Sequence, residues 1–435
     1  MTGGGDLPPA DRSPADRSPA DRSPADRTSA DPTTGDPTTG GEPLRVSTLE
    51  IFFDLVFAFT LTQLTAVLAS SLTWLTVVQV LLVFGLLWWM YEGYAWLTNS
   101  RPPAATAERL LLLVGMSGFL VIGIAIPHGF ADYGVVLGLG YLLVVLVHSG
   151  LYYRVNANIL RIAPFNIASA VLVTIAGLLP GPAGTATAAS YALWATALAV
   201  QLGSPLIVHP AGRFELRPSH YCERHNALII VAIGESVAAV GIGAADPASA
   251  GQVSWRLLAA AVLGLAVAAA LWWIVFGGGD EERAEQVLTR APADRRTALA
   301  LNAYFYGNIP LLLGLVALAA GVLREVVQAA GRPAPAGGTP ASAGQAAVLA
   351  CGAALFLTGN LIVRWQLGIG PVRLRLLAAA AAVATIPVGV YAGLVAQLAL
   401  VAVVLVAPLI AERQTAAGQP AARTAAAADE GNGAG

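Results

Sequence analysis

The sequence predicts an all-α fold, a polytopic membrane bundle of about twelve transmembrane helices, and three observations carry that prediction. Of 435 residues, 56% are hydrophobic and only 11% charged, against about 25% charged in soluble domains. Apolar runs recur at about twenty residues, the helical length that crosses roughly 30 Å of hydrocarbon. The positive charge, all of it arginine, sorts to alternate connections between those runs, as cytoplasmic loops do. A soluble chain is thereby excluded. The formal net charge of -2 offers no basic surface for nucleic acid, whose binding rests on neutralised phosphates. Two cysteines, Cys222 and Cys351, build neither a disulfide framework nor a metal cage.

Residues 1–46 repeat Ser-Pro-Ala-Asp-Arg and then Asp-Pro-Thr-Thr-Gly. That pattern has no apolar face to offset the entropy of ordering, so a disordered tail is expected. The tail lacks the apolar stretch and cleavage site of a secretory signal peptide. Spans follow at 49–69, 74–97, 109–127, 133–153, 163–180, 187–208, 226–245, 255–276, 299–322, 344–365, 372–391 and 393–411. The last two rest on a tight hairpin at Tyr391-Ala-Gly393, with one tilted span as the alternative. A second loose tail is expected over 414–435. With span one leaving the cytoplasm, only Arg256, Arg324 and Arg332 fall in outside loops. An even number of spans, both termini inside and an inner-membrane location follow. Three short matches relate the halves 47–217 and 218–413: Leu87-Trp88-Trp89 with Leu271-Trp272-Trp273, Leu151-x-x-Arg154 with Leu361-x-x-Arg364, and Pro205-Leu206-Ile207 with Pro408-Leu409-Ile410. Parallel repeats are a common transporter plan.

An acid inside hydrocarbon needs a partner, a cavity or a task, and Asp54, Glu92 and Glu235 are the three that fall clearly within spans. Asp54 follows Phe53 on a face shared with Phe57 and Leu61. It reads as a packing acid bonded to an arginine or to a helix N-terminus of another span, as a cation or proton site, or as a side chain snorkelling to the interface. Glu92, among Trp88, Trp89, Tyr91 and Tyr94, and His148 of span four fall at about the same depth. Three titratable groups in one layer suit a proton relay or cation site, although an interfacial acid and a core histidine account for Glu92 and His148 as well. The densest polar run, Ser219-His220-Tyr221-Cys222-Glu223-Arg224-His225-Asn226, leads into Gly234-Glu235-Ser236. Glu223 and Glu235 lie about 18 Å apart along a helix, near one face. His220, Glu223 and His225 do not have the i, i+4 histidine spacing of a helical zinc site, so no metal is expected. In span nine, Asn302, Tyr304, Tyr306, Asn308 and Pro310 make a polar, breakable stretch, a pore or hinge element or polar packing. Gly277-Gly278-Gly279-Asp280 opens a charged interfacial helix and lacks the lysine of a phosphate loop. Neither a cofactor motif nor a nucleophile, base and metal set can be assembled, so no enzyme is expected.

Glu50-Ile-Phe52-Phe53-Asp54-Leu-Val-Phe57-Ala-Phe-Thr-Leu-Thr-Gln63-Leu64 resembles the opening block of the bacterial low-temperature-requirement protein A family. His220-x-x-Glu223-Arg224 followed by Gly234-Glu235-Ser236 resembles its second block. The segment from Asn308-Ile-Pro310 to Gly321 resembles its third, with Gly307-Asn308 standing where family members usually carry a histidine. The likeness covers about 45–413. It implies an integral membrane protein linked by name to growth in the cold and implies no reaction. A shorter likeness, over some fifteen residues around Phe52-Phe53-Asp54, is to the first helix of a potassium-channel family built from six-helix repeats. Here Phe53 replaces its serine, and span seven holds no second copy. The expectation is therefore a solute or ion transporter with Asp54, Glu92, His148, Glu223, Arg224 and Glu235 as its polar core, in contact with the bilayer and a small solute or monovalent cation. A potassium-like channel, or a scaffold or sensor that does not transport, is the alternative. The oligomeric state stays open.

Overall fold

In the computed structural model, which describes residues 1–3, 45–153, 159–179, 181, 185–208, 216–244, 255–331 and 341–432, every regular element is helical. The expected N-terminal tail lies outside the described residues except at 1–3 and 45–46, as do Arg154, Arg213 and Arg332 of the charge pattern. The first six long helices are α1 (Thr48–Ser70), α2 (Trp74–Ser100), α3 (Thr106–Ala125), α4 (Gly134–Tyr153), α5 (Ile159–Gly177) and α6 (Ala188–Ile207). Ser47, Thr73 and Thr187 cap α1, α2 and α6 by accepting from the backbone N–H three residues on, which satisfies donors that a helix start otherwise leaves unpaired.

The second series is α7 (Pro218–Ala244), α8 (Trp255–Phe276), α9 (Asp280–Arg290), α10 (Ala293–Ala300), α11 (Tyr306–Gly331), α12 (Ala343–Gln366), α13 (Arg373–Val383), α14 (Ile386–Ala392) and α15 (Leu394–Asn432). Helix α7 starts eight residues before the expected 226, because Pro218 occupies the first helical turn, where its missing N–H is harmless. Helix α15 runs to Asn432 where a loose tail was expected from 414; its alanine-rich end is a strong helix former. The penultimate span is broken between α13 and α14. The hairpin at Gly393 has φ 91°, a conformation that glycine adopts without steric cost.

Nine segments among the described residues are long and apolar enough to cross a membrane, including Arg373–Ala392 and Leu394–Gln414. Their outward faces are apolar: Leu110, Leu113, Leu120 and Ile124 on α3, and Leu258, Val262 and Leu265 on α8, are all exposed. Such stripes suit lipid, where every backbone polar group is satisfied within the helix. Exposed Trp74, Tyr133 and Trp255 mark one end of the bundle and Tyr153, Trp273 and Trp365 the other, as interfacial aromatics do.

Helix α1 packs on α3, α3 on α4, α4 on α5, α5 on α6, and α2 returns against α6. In the second series α7 packs on α11, α11 on α12, α12 on α13, α13 on α15, and α8 returns against α15. The series meet where α1 lies against α7 and α11. Among the described residues the most extensively packed pair, α11 and α12, has glycines at its seam. A Cβ on Gly352 would sit 2.6 Å from the Leu318 nitrogen, one on Gly359 2.5 Å from the Leu311 nitrogen, and one on Gly314 would run into the Phe356 nitrogen. Small residues are what let membrane helices approach this far. Gly352→Ala is expected to cost about 1–3 kcal/mol by overpacking and to lower the thermal unfolding midpoint in detergent; an unchanged midpoint would show that the seam yields.

Candidate functional site

Three helices bring charge together. Helix α1 presents Glu50, Phe53, Asp54 and Phe57 at i, i+3, i+4 and i+7, one helical face, and all four are buried. Helix α7 presents two such pairs, His220 with Arg224 and Tyr221 with His225, while α2 presents Tyr91 with Thr98 and Glu92 with Asn99, each two turns apart. Glu50 meets His220 and Arg224, and Asp54 meets Arg224. Further along, Thr62 of α1 lies beside Glu235, so α1 and α7 run in the same direction.

The Arg224 guanidinium is the centre of the cluster. Its Nη1 donates to Glu50 Oε1 at 2.9 Å and Thr98 Oγ1 at 2.6 Å, and its Nη2 to Asp54 Oδ1 at 3.3 Å. The guanidinium carbon lies 5.4 Å from the Phe53 ring centre and 5.6 Å from that of Tyr91, within range of cation–π attraction. Glu50 also accepts, through Oε2, from the Ser47 backbone N–H at 2.9 Å and hydroxyl at 2.8 Å, so one carboxylate both caps α1 and pairs with arginine. Asn99 clamps the Arg217 backbone with both ends of its amide. Its NH2 therefore faces His220 Nδ1 at 3.3 Å, and His220 Nε2–H faces Glu50 Oε1 at 3.1 Å. His220 is satisfied as the neutral ring.

His225 is not. Its Nδ1 lies 2.8 Å from the Tyr221 carbonyl oxygen and its Nε2 2.7 Å from Glu92 Oε1. A carbonyl requires Nδ1 to carry hydrogen, and the second contact then requires a further proton on Nε2 or on the carboxyl group. The Glu92–His225 pair thus holds one shared proton, with the Tyr221 hydroxyl donating to Glu92 Oε2 at 3.2 Å. Glu50 and Asp54 remain against one arginine. Asp54 Oδ1 accepts from the Tyr91 hydroxyl at 2.9 Å, whereas buried Oδ2 has no hydrogen-bond partner among the described residues.

Of the six residues expected to form the polar core, the structure brings Asp54, Glu92 and Arg224 together. Glu92 is therefore not an interfacial acid: at 2% exposure it turns away from the surface toward His225. His148 lies at the expected depth but outside the hydrogen-bonded cluster, its ring against Gly93 and between Tyr94 and Tyr152. Glu223 is half-buried and accepts from the Val46 N–H at 3.1 Å, tying α7 to the chain before α1. Glu235 is half-buried about three turns beyond Arg224 along α7, beside Thr62 of α1 and away from the cluster. Among the motif residues, Phe53, Phe57 and His220 are buried in the cluster, Phe52 and Gly234 are exposed, Gln63 is half-buried and Ser236 is buried.

Sequence reasoning named Glu50 and His220 only as motif residues, outside the polar core, and missed Tyr91, Thr98, Asn99 and His225 as members. The i, i+4 pairs on α7 were the available signal. It also missed a second network, in which Arg364 pairs with Asp280 at 2.6 Å and Arg375 grips Glu412 through two bonds of 2.9 Å and Asn360 at 3.2 Å. Every charge there has an opposite neighbour, and the network ties α9, α12, α13 and α15 together. The polar stretch of span nine forms a π-helical turn, Leu301–Phe305, leading into α11 with Pro310 inside it. From this turn Tyr304 donates to Cys222 Sγ at 3.3 Å, and the Phe305 carbonyl accepts from Trp88 Nε1 at 3.1 Å. Among the described residues no three His, Cys, Asp or Glu side chains are placed to hold one metal ion.

A curated relative, an uncharacterized protein of Rhizobium meliloti (strain 1021), is 23% identical over 287 residues, 62% of this chain and 67% of its own length. No solved structure matches the chain. Residues 45–410, from just before α1 into α15, match the family described as bacterial low temperature requirement A protein. By that extent of match, the chain is a multi-pass membrane protein belonging to the bacterial low temperature requirement A family.

Proposed function

We propose that the chain is a twelve-span inner-membrane permeation protein of two parallel six-helix halves that moves a small solute or monovalent cation in step with protons at the Asp54 and Glu92–His225 cluster. The observation that carries this reading is the charge left over at Asp54. A structural brace pairs its charges, as the Asp280–Arg364 and Arg375–Glu412 network does. Here three buried carboxylates share one guanidinium and one proton, and an uncompensated buried charge is expensive. A second proton or a cation at Asp54 Oδ2 removes that cost, which makes the cluster an exchange site with no chemical turnover.

The repeated order of neighbours in the two series, and the parallel course of α1 and α7, support the two-half plan. At the end away from the arginine-rich loops, a cavity of about 310 Å3 lies between Leu64, Gln79, His128 and Tyr191. Buried Phe57, Leu61 and Phe84 separate it from the cluster, a span of about 15 Å along α1. That arrangement suits a carrier closed by an apolar plug on its outer side. In proteoliposomes loaded with a pH-sensitive dye, a panel of monovalent cations and small polar solutes is expected to contain a species whose entry moves protons. If wild-type vesicles move neither protons nor any panel member faster than protein-free vesicles, the transport reading fails.

A further inference from the structure

We propose that a polar cavity between α7, α9, α11 and α12 is a water-filled inlet that connects the arginine-rich face with the Glu92–His225 pair; the inlet deepens the transport reading and rests on it for its purpose. The cavity has a volume of about 40 Å3, room for two or three waters. Asp280 and Glu281, at the start of α9 where the bundle meets the loops, form one side of its lining. Asn226, Tyr304, Asn308 and Asn360 form the deep side.

Two of those amides are orphans. Asn308 is fully buried, and among the described residues neither its Oδ1 nor its Nδ2 has a hydrogen-bond partner; the Nδ2 of Asn226, itself more than nine-tenths buried, also has none there. At membrane depth such groups are retained where something polar meets them. Donors and an acceptor point into a space too small for an organic solute, and water satisfies both kinds. Two of the three charges on the lining, Asp280 and Arg364, pair with each other at 2.6 Å, and Asp280 also meets Arg283 at 3.3 Å. The inner end of the cavity touches the cluster: Tyr304 lies on its wall, and the Tyr304 ring centre is 5.1 Å from that of His225. Asn226 follows His225 in the chain. The π-helical turn and Pro310 bracket Asn308, and irregular helix at membrane depth belongs where it faces protein or water.

X-ray hydroxyl-radical footprinting of the intact protein, read by mass spectrometry, tests the inlet independently of transport. Leu311 lines the cavity and Leu312 does not, yet both are buried on the same helix. Leu311 is expected to oxidise at least tenfold faster than Leu312, Tyr304 likewise faster than the buried Tyr94, and His225 at a rate comparable to Tyr304. Asn308→Leu, which removes both orphan atoms and fills the space, is expected to return all three sites to background. Equal rates at Leu311 and Leu312 in the wild type would mean a dry cavity and overturn the proposal. Labelling of Leu311 with His225 at background would mean that the water stops short of the pair, which overturns it as well. Absent flux in proteoliposomes would sink the transport reading and leave these rates as they are.

Discussion

Arg224→Met is expected to cost about 3–5 kcal/mol, the usual penalty for breaking a buried ion pair from one side, and so to remove most of the folded protein. The substitution keeps an unbranched, apolar stem of similar reach and deletes the one guanidinium that serves Glu50, Asp54 and Thr98. Two carboxylates are then left fully buried with no cation between them. Arg224→Lys should fall between wild type and Met. An ammonium cannot reach Glu50 Oε1 and Asp54 Oδ1 from two nitrogens while lying between the Phe53 and Tyr91 rings. Adding Glu50→Gln and Asp54→Asn to Arg224→Met should restore much of the yield, since neutral groups of the same shape replace a buried ionic network at little cost. Fluorescence-detected gel filtration and thermal unfolding in detergent read all three. A Met variant as abundant and as stable as wild type would show that the carboxylates are already neutral without Arg224.

The parts of this arrangement that lie along one helix were legible in the sequence. Phe53, Phe57 and Leu61 recur with the helical period and are buried as that period requires. The arginines sort the loops, and most span ends fall within a few residues of their expected positions because charges and prolines stop apolar helices. What a helix turns toward was not legible. Depth placed Asp54, Glu92 and His148 in one layer, but depth carries no azimuth, and His148 faces Tyr94 and Tyr152 while Glu92 faces α7. Glu92 looked interfacial because Trp88, Trp89, Tyr91 and Tyr94 surround it, yet Trp88, Tyr91 and Tyr94 are core rings. Arg364 and Arg375 counted as loop charges although both are buried, since their partners Asp280 and Glu412 stand 84 and 37 residues away. The contacts that define the cluster join residues up to 174 apart, and no local period reports on those. That the Asn308 amide has no partner among the described residues is a property of packing alone.

Asp54→Asn is the substitution expected to separate structure from transport. Asparagine has the shape of aspartate and keeps an Oδ1 that can accept from Tyr91 and Arg224. It removes the leftover charge, leaving Glu50 and Arg224 as a balanced pair, so the folded yield and thermal midpoint should be equal to or above those of wild type. The exchange of a proton or cation at Oδ2 goes with the charge. Proton-coupled flux in proteoliposomes should therefore fall by about a hundredfold or more, the lower end of what loss of a proton-transferring group costs. Glu92→Gln acts on the other half of the cluster. The glutamine amide can donate its NH2 to His225 Nε2 and accept from the Tyr221 hydroxyl at its oxygen, but it cannot hold the shared proton, so proton-coupled flux should be low. Glu223→Gln and Glu235→Gln lie outside the cluster and should keep most of the flux. If Asp54→Asn loses yield and flux together, Asp54 is a brace and its loose Oδ2 has no part in transport. If it keeps both, the charge that the cluster leaves unbalanced is neutralised elsewhere, and the coupling site must be sought away from α1.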